Sequence, residues 1–225
     1  MTGGRRLTRV SAFTLAVAAL VLTATSCSAE DDTPTSAADG CEEALGGSGI
    51  EWVESHADVA GGGELDRGGV DLKEARAQHY KQMESGGSDG FHWSSELCTM
   101  TAFDAGKKKE LRVEFGPSSL PFDFQTKSAE DGIVTPVNSD VKLHRVDDSK
   151  GVVQYGVYVK CKIPGTSPRQ ETETPLAGVM TDTLTSGTSV RDHMKYLLHS
   201  ARAMADVLDC QNEPKVPAKP PAGLQ

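Results

Sequence analysis

Aromatic residues are scarce in this sequence, since Phe, Trp and Tyr together make up 5% of its 225 residues. A hydrophobic core must therefore be built mainly from Val, Leu, Met and Ala. Basic residues are also in the minority, with 23 Lys and Arg against 32 Asp and Glu, which gives a net charge of −9. A chain of this charge repels polyanions, so the composition excludes nucleic acid as a partner and disfavours anionic polymers.

Motifs typical of common catalytic and metal sites are missing. No G-x-S-x-G stands between a predicted strand and a predicted helix, and there is no H-E-x-x-H motif or Walker-type phosphate loop. The sequence contains no C-x-x-C pair, which argues against a zinc site. The sequence therefore assigns no catalytic residue, no metal ligand and no cofactor.

A run of apolar residues long enough to span a membrane, about 20 residues, is also missing. The longest run, residues 10–22, follows a start with three arginines and precedes the small residues 24–26 and Cys27. A basic start, a short apolar run and a small-residue cleavage site are typical of a secretory signal. Residues 24–27 resemble the lipobox of bacterial lipoproteins, although Ala24 stands where Leu is more common. The resemblance implies cleavage before Cys27, whose thiol carries a diacylglyceryl anchor with fatty acids such as palmitate; an ordinary secretory signal cut nearby is the alternative.

The lipobox predicts where the mature chain resides. Two acyl chains hold a protein stably at a bilayer, so we expect the chain at the outer face of the cytoplasmic membrane, with the lipid bilayer as its partner. Removal of the signal, residues 1–26, takes the net charge from −9 to −12, because the signal has three arginines and no acid. Composition then predicts a flexible linker at 27–40, one domain at 41–213 and a Pro-rich disordered tail at 214–225.

The four remaining cysteines predict two disulfides, because an exported chain with an even number of cysteines usually pairs them. They are Cys41, Cys98, Cys161 and Cys210. Three pairings are possible. We favour Cys41–Cys98 with Cys161–Cys210, because each bond then closes a loop within one half of the chain.

Alternation of apolar and polar residues predicts antiparallel strands. One hairpin joins residues 98–102 to 111–115, with the lysine run 107–109 in its turn. A second joins 141–146 to 153–161, and its alternation aims Cys161 at the core. A further strand is predicted within residues 176–184.

Helical spacing of apolar residues predicts three helices. A short one begins at Cys41 and stops at Gly46, and a second begins near Asp71, which has capping-box spacing to Glu74. Residues 50–69 are ambiguous. The last helix is capped by Ser189 and carries one wide apolar stripe, formed by Val190, Met194, Leu197, Leu198, Ala201, Met204 and Leu208. Such a stripe is buried against a sheet, so we predict an α+β fold with a mostly antiparallel sheet packed against an amphipathic C-terminal helix.

Two segments carry a resemblance to a known group of proteins. They are VKCKIPG at 159–165 and LLHSARAMADVLDCQNEP at 197–214. With the lipobox and the four cysteines, they resemble the small secreted lipoproteins of actinobacteria, streptomycetes especially. These have a strand ending in Cys, a Pro-Gly turn and a final helix ending in L-x-C. The resemblance covers residues 41–212, supports the Cys161–Cys210 pairing and implies no catalytic residue.

Three functions remain compatible with these patterns. The first is a non-enzymatic module of the cell envelope that binds a small molecule or a protein. The second is an extracytoplasmic hydrolase acting on envelope or exported substrates, which could draw only on polar residues of unassigned segments, namely His92, Glu96, Glu130 and Asp131. The third is a passive structural lipoprotein.

Overall fold

The structure is a computed structural model that describes residues 37–59, 64–84, 94–147 and 152–224. These residues belong to one compact unit. The predicted signal, Cys27 and residues 28–36 of the predicted linker lie outside the described residues. None of the helices within the described ranges is long and apolar enough to cross a membrane.

The helices and strands follow one another in a mixed order along the chain. They are α1 (Ala37–Leu45), α2 (Gly47–His56), β1 (Asp66–Gly68), α3 (Leu72–Glu84), β2 (Ser95–Asp104), β3 (Lys107–Pro117), a 3-10 turn (Ala129–Asp131), β4 (Ile133–Pro136), β5 (Val141–Asp147), β6 (Val153–Val159), α4 (Gln170–Glu173), β7 (Leu176–Asp182) and α5 (Val190–Val207).

The strands form one sheet in the order β1-β2-β3-β7-β6-β5-β4, and all neighbouring pairs are antiparallel. Both predicted hairpins are confirmed, because β2 pairs with β3 and β5 pairs with β6. The predicted strand at 176–184 is confirmed as β7, which lies in the middle of the sheet between β3 and β6. The short edge strands β1 and β4 are not predicted by the sequence, because each has too few residues to show alternation.

The helices form a second layer, in which α5 lies against β6 and β7 while α1 and α3 lie against β2. Ser189 caps α5 as predicted: its hydroxyl accepts the amide of Asp192, whose carboxylate accepts the amide of Ser189. The apolar stripe is buried, with at most 1% exposure for Met194, Leu197, Leu198, Ala201 and Met204. The predicted α+β fold, with its antiparallel sheet packed against the C-terminal helix, is confirmed.

Two disulfides lock the layers together. Cys41–Cys98 joins α1 to β2, with Cα atoms 4.5 Å apart. Cys161–Cys210 joins the chain just after β6 to the chain just after α5, with Cα atoms 5.0 Å apart. The favoured pairing is therefore confirmed, and Cys161 is buried as the alternation predicts.

The N-terminal helices differ from the prediction in two ways. The first helix begins at Ala37 and not at Cys41, so the last residues of the predicted linker are helical. The first part of the ambiguous segment, residues 50–56, belongs to helix α2, which starts directly after Gly46, a residue with a φ of +69°. Gly49 lets α2 approach its neighbours, because a Cβ there would lie 2.8 Å from the Cβ of Leu45. This glycine therefore allows close packing between α1 and α2.

The C-terminal tail differs from the prediction, because it is not disordered where the structure describes it. Residues 214–224, expected to be disordered, lie against the domain. Arg191 donates from Nη1 to the carbonyl of Pro221 at 2.9 Å, and Asn138 donates from Nδ2 to the carbonyl of Lys215 at 2.7 Å. Val216 and Leu224 pack against the core. The prolines exclude regular secondary structure, but an extended segment can still bury apolar side chains where the folded domain offers a groove.

Candidate functional site

A cavity of about 770 Å³ lies between the last turn of α3 and residues 163–174, the segment that contains α4. We call this segment the 163–174 segment. Sites for small molecules usually have volumes of about 300 to 1,000 Å³. The cavity is therefore of a size to hold a small organic molecule. Its lining is formed by Tyr80, Gln82, Met83 and Glu84 on one side, and on the other by Ile163, Pro164, Gly165, Thr166, Ser167, Gln170, Glu173 and Thr174.

The 163–174 segment is held in shape by the side chain of Gln170, which is 4% exposed. Its Oε1 accepts the amide of Ile163 at 2.8 Å and the hydroxyl of Thr166 at 3.1 Å. Its Nε2 donates to the carbonyls of Cys161 at 3.2 Å and Thr174 at 2.9 Å. The four hydrogen bonds use the full capacity of the amide group, so this one side chain fixes both ends of the segment.

The same segment is tied to the end of α5. The Cys161–Cys210 disulfide makes the covalent link. Beside it the amide of Gln211 donates to the carbonyl of Lys162 at 2.9 Å. Asn212 accepts the amide of Lys162 at 2.8 Å and donates to the carbonyl of Lys160 at 2.7 Å. These bonds position one wall of the cavity.

The other wall, the last turns of α3, is attached to the same place. The hydroxyl of Tyr80 donates to the carbonyl of Leu208 at 3.0 Å. Just before Tyr80 on α3, Gln78 accepts a hydrogen bond from the hydroxyl of Ser95 at 2.6 Å, which ties the helix to β2. Because both walls are attached to the end of α5, the cavity is preformed in the folded chain.

The chemistry of the cavity is mixed. Met83, Ile163 and Pro164 supply apolar surface, while Glu84 and Glu173 supply carboxylates. Arg169 forms an ion pair with Glu173, which neutralises one of them. Such a lining can hold a small molecule with both apolar and hydrogen-bonding parts.

A second polar cluster lies inside the core, between α5 and the end of β7. His193 Nε2 lies 2.7 Å from a carboxylate oxygen of Asp182, and its Nδ1 lies 2.8 Å from the carbonyl of Ser189. Both partners are acceptors, so both contacts are hydrogen bonds only when each ring nitrogen carries a hydrogen. The side chains of His193 and Asp182 are only 5% and 3% exposed. The pair is therefore closed off from solvent.

The surroundings of this pair keep Asp182 ionised. Burial by itself would raise the pKa of Asp182, but the hydrogen bonds from His193 and Thr185 outweigh it and hold the pKa below its ordinary value. Tyr155 stacks on the His193 ring at 4.2 Å, and Trp52 meets its edge at 5.1 Å. Aromatic rings thus cover the pair, and its hydrogen bond joins α5 to the end of β7.

The residues of the hydrolase hypothesis are not brought together where they are described. Glu96 lies on β2 and pairs with Arg112 at 3.2 Å. Glu130 and Asp131 lie in the turn before β4, and the Asp131 carbonyl contacts His144 Nε2 on β5 at 2.7 Å. Four strand spacings separate β2 from β5, which is about 19 Å. His92 lies outside the described residues.

Two charged turns, the acidic one at residues 130–131 and the lysine run at residues 107–109, bind groups of the chain itself. The amides of Lys127 and Ser128 and the Ser128 hydroxyl hold the pKa of Asp131 below its ordinary value, as expected for a capped turn. In the lysine run, Lys108 pairs with Glu110 at 2.6 Å. Lys109 pairs with Asp58 at 3.0 Å and with Asp104 at 3.1 Å.

No group of three or more His, Cys, Asp or Glu side chains able to hold a metal ion occurs in the part of the chain that the structure describes. Comparison with known proteins yields no matching family model, no matching curated protein and no matching solved structure. The function is therefore argued from the site itself.

The cavity was not found from the sequence. Its walls are far apart along the chain, and Gln170 and Tyr80 carry no motif. One signal was available: the connection between β6 and β7 runs from residue 160 to 175 with only the short α4 in it. Connections longer than about 12 to 15 residues without long regular elements are often functional.

Proposed function

We propose that this protein is a membrane-anchored extracytoplasmic lipoprotein that binds a small molecule without catalysing a reaction. The observation that carries the proposal is the cavity of about 770 Å³, whose two walls are both attached to the end of α5. Preformed walls reduce the ordering that a ligand must impose when it binds. A binding module needs such a site.

The anchor in this proposal comes from the sequence of residues 1–27. The lipobox-like segment before Cys27 supports acylation at that cysteine, and the disulfides are in keeping with an oxidising compartment outside the cytoplasm. The resemblance of residues 159–165 and 197–214 to actinobacterial secreted lipoproteins supports the same placement. An anchored domain with this cavity would hold its ligand at the outer membrane face.

Thermal unfolding tests the proposal. The purified full-length chain is heated in the presence of each member of a metabolite library, and a ligand of the native state raises the melting temperature. A hit is then tested on two variants in the last turns of α3. Met83→Trp places a large ring in the cavity, whereas Lys81→Trp adds the same ring at an exposed position that does not line it.

We expect the ligand-dependent rise to be lost in Met83→Trp and kept in Lys81→Trp. A library that produces no rise in melting temperature contradicts the small-molecule form of the proposal. A rise that persists unchanged in Met83→Trp places binding elsewhere and rejects this cavity.

A further inference from the structure

Two lysines converge on one aromatic ring on the sheet face opposite the helices. Lys142 lies on β5 between Val141 and Leu143, which are fully buried on the helix side, so its side chain points to the other face. Lys160 follows β6. Their Nζ atoms lie 4.9 Å and 4.6 Å from the centroid of the Phe122 ring. We call these residues the two-lysine site.

The two ammonium groups have no oxygen acceptor in the part of the chain that the structure describes. Four lysines there are partly buried, and the other two are satisfied. Lys109 pairs with Asp58, and Lys162 donates to the carbonyls of Thr166 and Ser167. Lys142 and Lys160 therefore differ from the rest of the partly buried lysines.

The contacts with the Phe122 ring do not by themselves offset the repulsion between the two ammonium groups. A cation over an aromatic ring is attracted to it, but two cations at the same ring repel each other. The surroundings are apolar: Phe122 is 6% exposed, and Phe124 lies 4.8 Å from the ring of Tyr158. Burial raises the pKa of Tyr158, as expected in such surroundings. In a low-dielectric setting both the repulsion and the attraction for an anion increase.

An oxyanion held by both lysines would offset the repulsion between the two ammonium groups, whose Nζ atoms lie 4.9 Å and 4.6 Å from the same ring centroid. A tetrahedral phosphate group can bridge such a pair with one charge-assisted hydrogen bond of about 2.8 Å to each side. The net negative charge of the chain opposes the approach of an anion, but charges more than about 8 to 10 Å from the two ammonium groups are screened at physiological salt and weaken the local contact little.

We propose that the two-lysine site binds a phosphate group, carried either by a soluble phosphorylated molecule or by a phospholipid headgroup. Lys142 and Lys160 donate to its oxygens. Phe122 and Phe124 exclude water from one side. The two-lysine site shares no residue with the lining of the cavity beside α3, and the proposal does not depend on the function proposed for that cavity.

The soluble source is tested by titrating the purified, ¹⁵N-labelled full-length chain with inorganic phosphate and with glycerol 3-phosphate at constant ionic strength. The amide signals of residues 142 and 160 report binding. We expect saturable shifts whose dissociation constant rises at least about tenfold, or 1.4 kcal/mol, in Lys142→Gln/Lys160→Gln. The matched control, Lys73→Gln/Lys81→Gln, removes the same charge from exposed positions on α3 and should bind as the wild type does.

The lipid source is tested by sedimenting the same proteins with phosphatidylglycerol vesicles and with phosphatidylcholine vesicles. The proposal is supported if Lys142→Gln/Lys160→Gln loses either the phosphate-induced shifts or the binding to anionic vesicles while the control variant keeps both. The kind of binding that is lost identifies the source of the phosphate group. If neither depends on these lysines, the proposal is overturned. Should the double variant fail to fold by circular dichroism, Lys142→Gln and Lys160→Gln singly must each weaken binding severalfold, while Lys142→Arg/Lys160→Arg must retain it.

Discussion

At the scale of single residues, the buried Asp182–His193 pair shows how polar groups can strengthen a core with few aromatic side chains. Four donors reach the Asp182 carboxylate: the His193 ring, the Thr185 hydroxyl and the amides of Leu184 and Thr185. Satisfying the carboxylate in this way offsets the cost of burying its charge. Tyr155 and Trp52, two of the few aromatic residues, are placed around this pair.

We expect Asp182→Asn to destabilise the fold by about 3 kcal/mol, because an amide has one acceptor oxygen where the carboxylate has two, so not all four buried donors keep their partner. Urea unfolding at pH 7, followed by circular dichroism, measures the change. Asp206→Asn, at an exposed position on the same helix as His193, serves as the control and should change stability little. Equal stability of the two variants would contradict a structural role for the pair.

The same pair predicts a pH dependence. The pKa of Asp182 is lowered in the folded state, so its stabilising contribution is present above the ordinary value of 3.8 and is lost as the pH falls through the lower folded-state value. The unfolding free energy of the wild type should therefore fall more steeply on acidification than that of Asp182→Asn. Urea unfolding measured between pH 7 and pH 3 provides both slopes, and parallel slopes would argue against the prediction.

Gln170 has a comparable role in the cavity wall. Gln170→Ala leaves the buried amide of Ile163 and the carbonyls of Cys161 and Thr174 without these partners, at a cost of about 1 to 3 kcal/mol for each buried group that stays unsatisfied. We expect a loss of stability of about 3 kcal/mol and faster hydrogen exchange at the Ile163 amide. Gln125→Ala, at an exposed position, should show neither effect.

At the scale of helices and strands, local pattern and tertiary environment account for different elements. The helix α5 and the β5–β6 hairpin were predicted because each has a long, regular apolar period that one partner layer satisfies. The helix α2 was not, because the sequence of residues 50–69 is ambiguous, and the packing of Leu45 and Tyr196 against Gly49 is seen only in the folded chain. Close packing between helices creates a need for glycine that no local pattern contains.

The conformation of the C-terminal segment likewise depends on the surface against which it packs. Residues 221–224 cover a cavity of about 320 Å³ between the edge strand β4, β5 and the start of α5. Apolar side chains of Leu143, Val190 and Met194 line it. The segment thus shields apolar surface at the edge of the sheet that would otherwise be exposed.

Removal of residues 214–225 should therefore lower the unfolding free energy by about 2 kcal/mol, since each apolar side chain withdrawn from water contributes about 1.5 to 3 kcal/mol. Urea unfolding of the truncated chain measures the loss. Arg191→Ala removes the bonds to Pro220 and Pro221 and keeps the segment. It should cost less than the truncation. A truncation without effect would restore the interpretation of this segment as a disordered tail.

At the scale of the whole molecule, the predicted anchor and the charge act together. A chain that carries −9, or −12 without residues 1–26, is repelled by anionic surfaces at long range. A diacylated Cys27 would hold it at the membrane against this repulsion, because two acyl chains give stable attachment. The domain would then face outward on its linker.

Cys27→Ala should abolish this attachment. Cells fed labelled palmitate should incorporate the label into the wild-type protein and not into the variant, and the variant should move from the membrane fraction to the soluble exported fraction. Cys210→Ser is a suitable control, because it removes a cysteine of the domain and should leave labelling intact. Label that persists in Cys27→Ala would reject the anchor.

The sequence by itself determined the α+β class, the main hairpins and the last helix, because each depends on periodicity along one stretch of chain. It favoured one of three cysteine pairings, which the structure then confirmed. Only the tertiary structure decided the position of β7 in the middle of the sheet, the docking of the tail and the cavity between α3 and the 163–174 segment. The cavity illustrates the physical reason. Tyr80 binds the carbonyl of Leu208 at the end of α5, and Gln170 binds the carbonyl of Cys161, whose disulfide partner Cys210 follows α5. Such distant contacts exist only once the layers have packed.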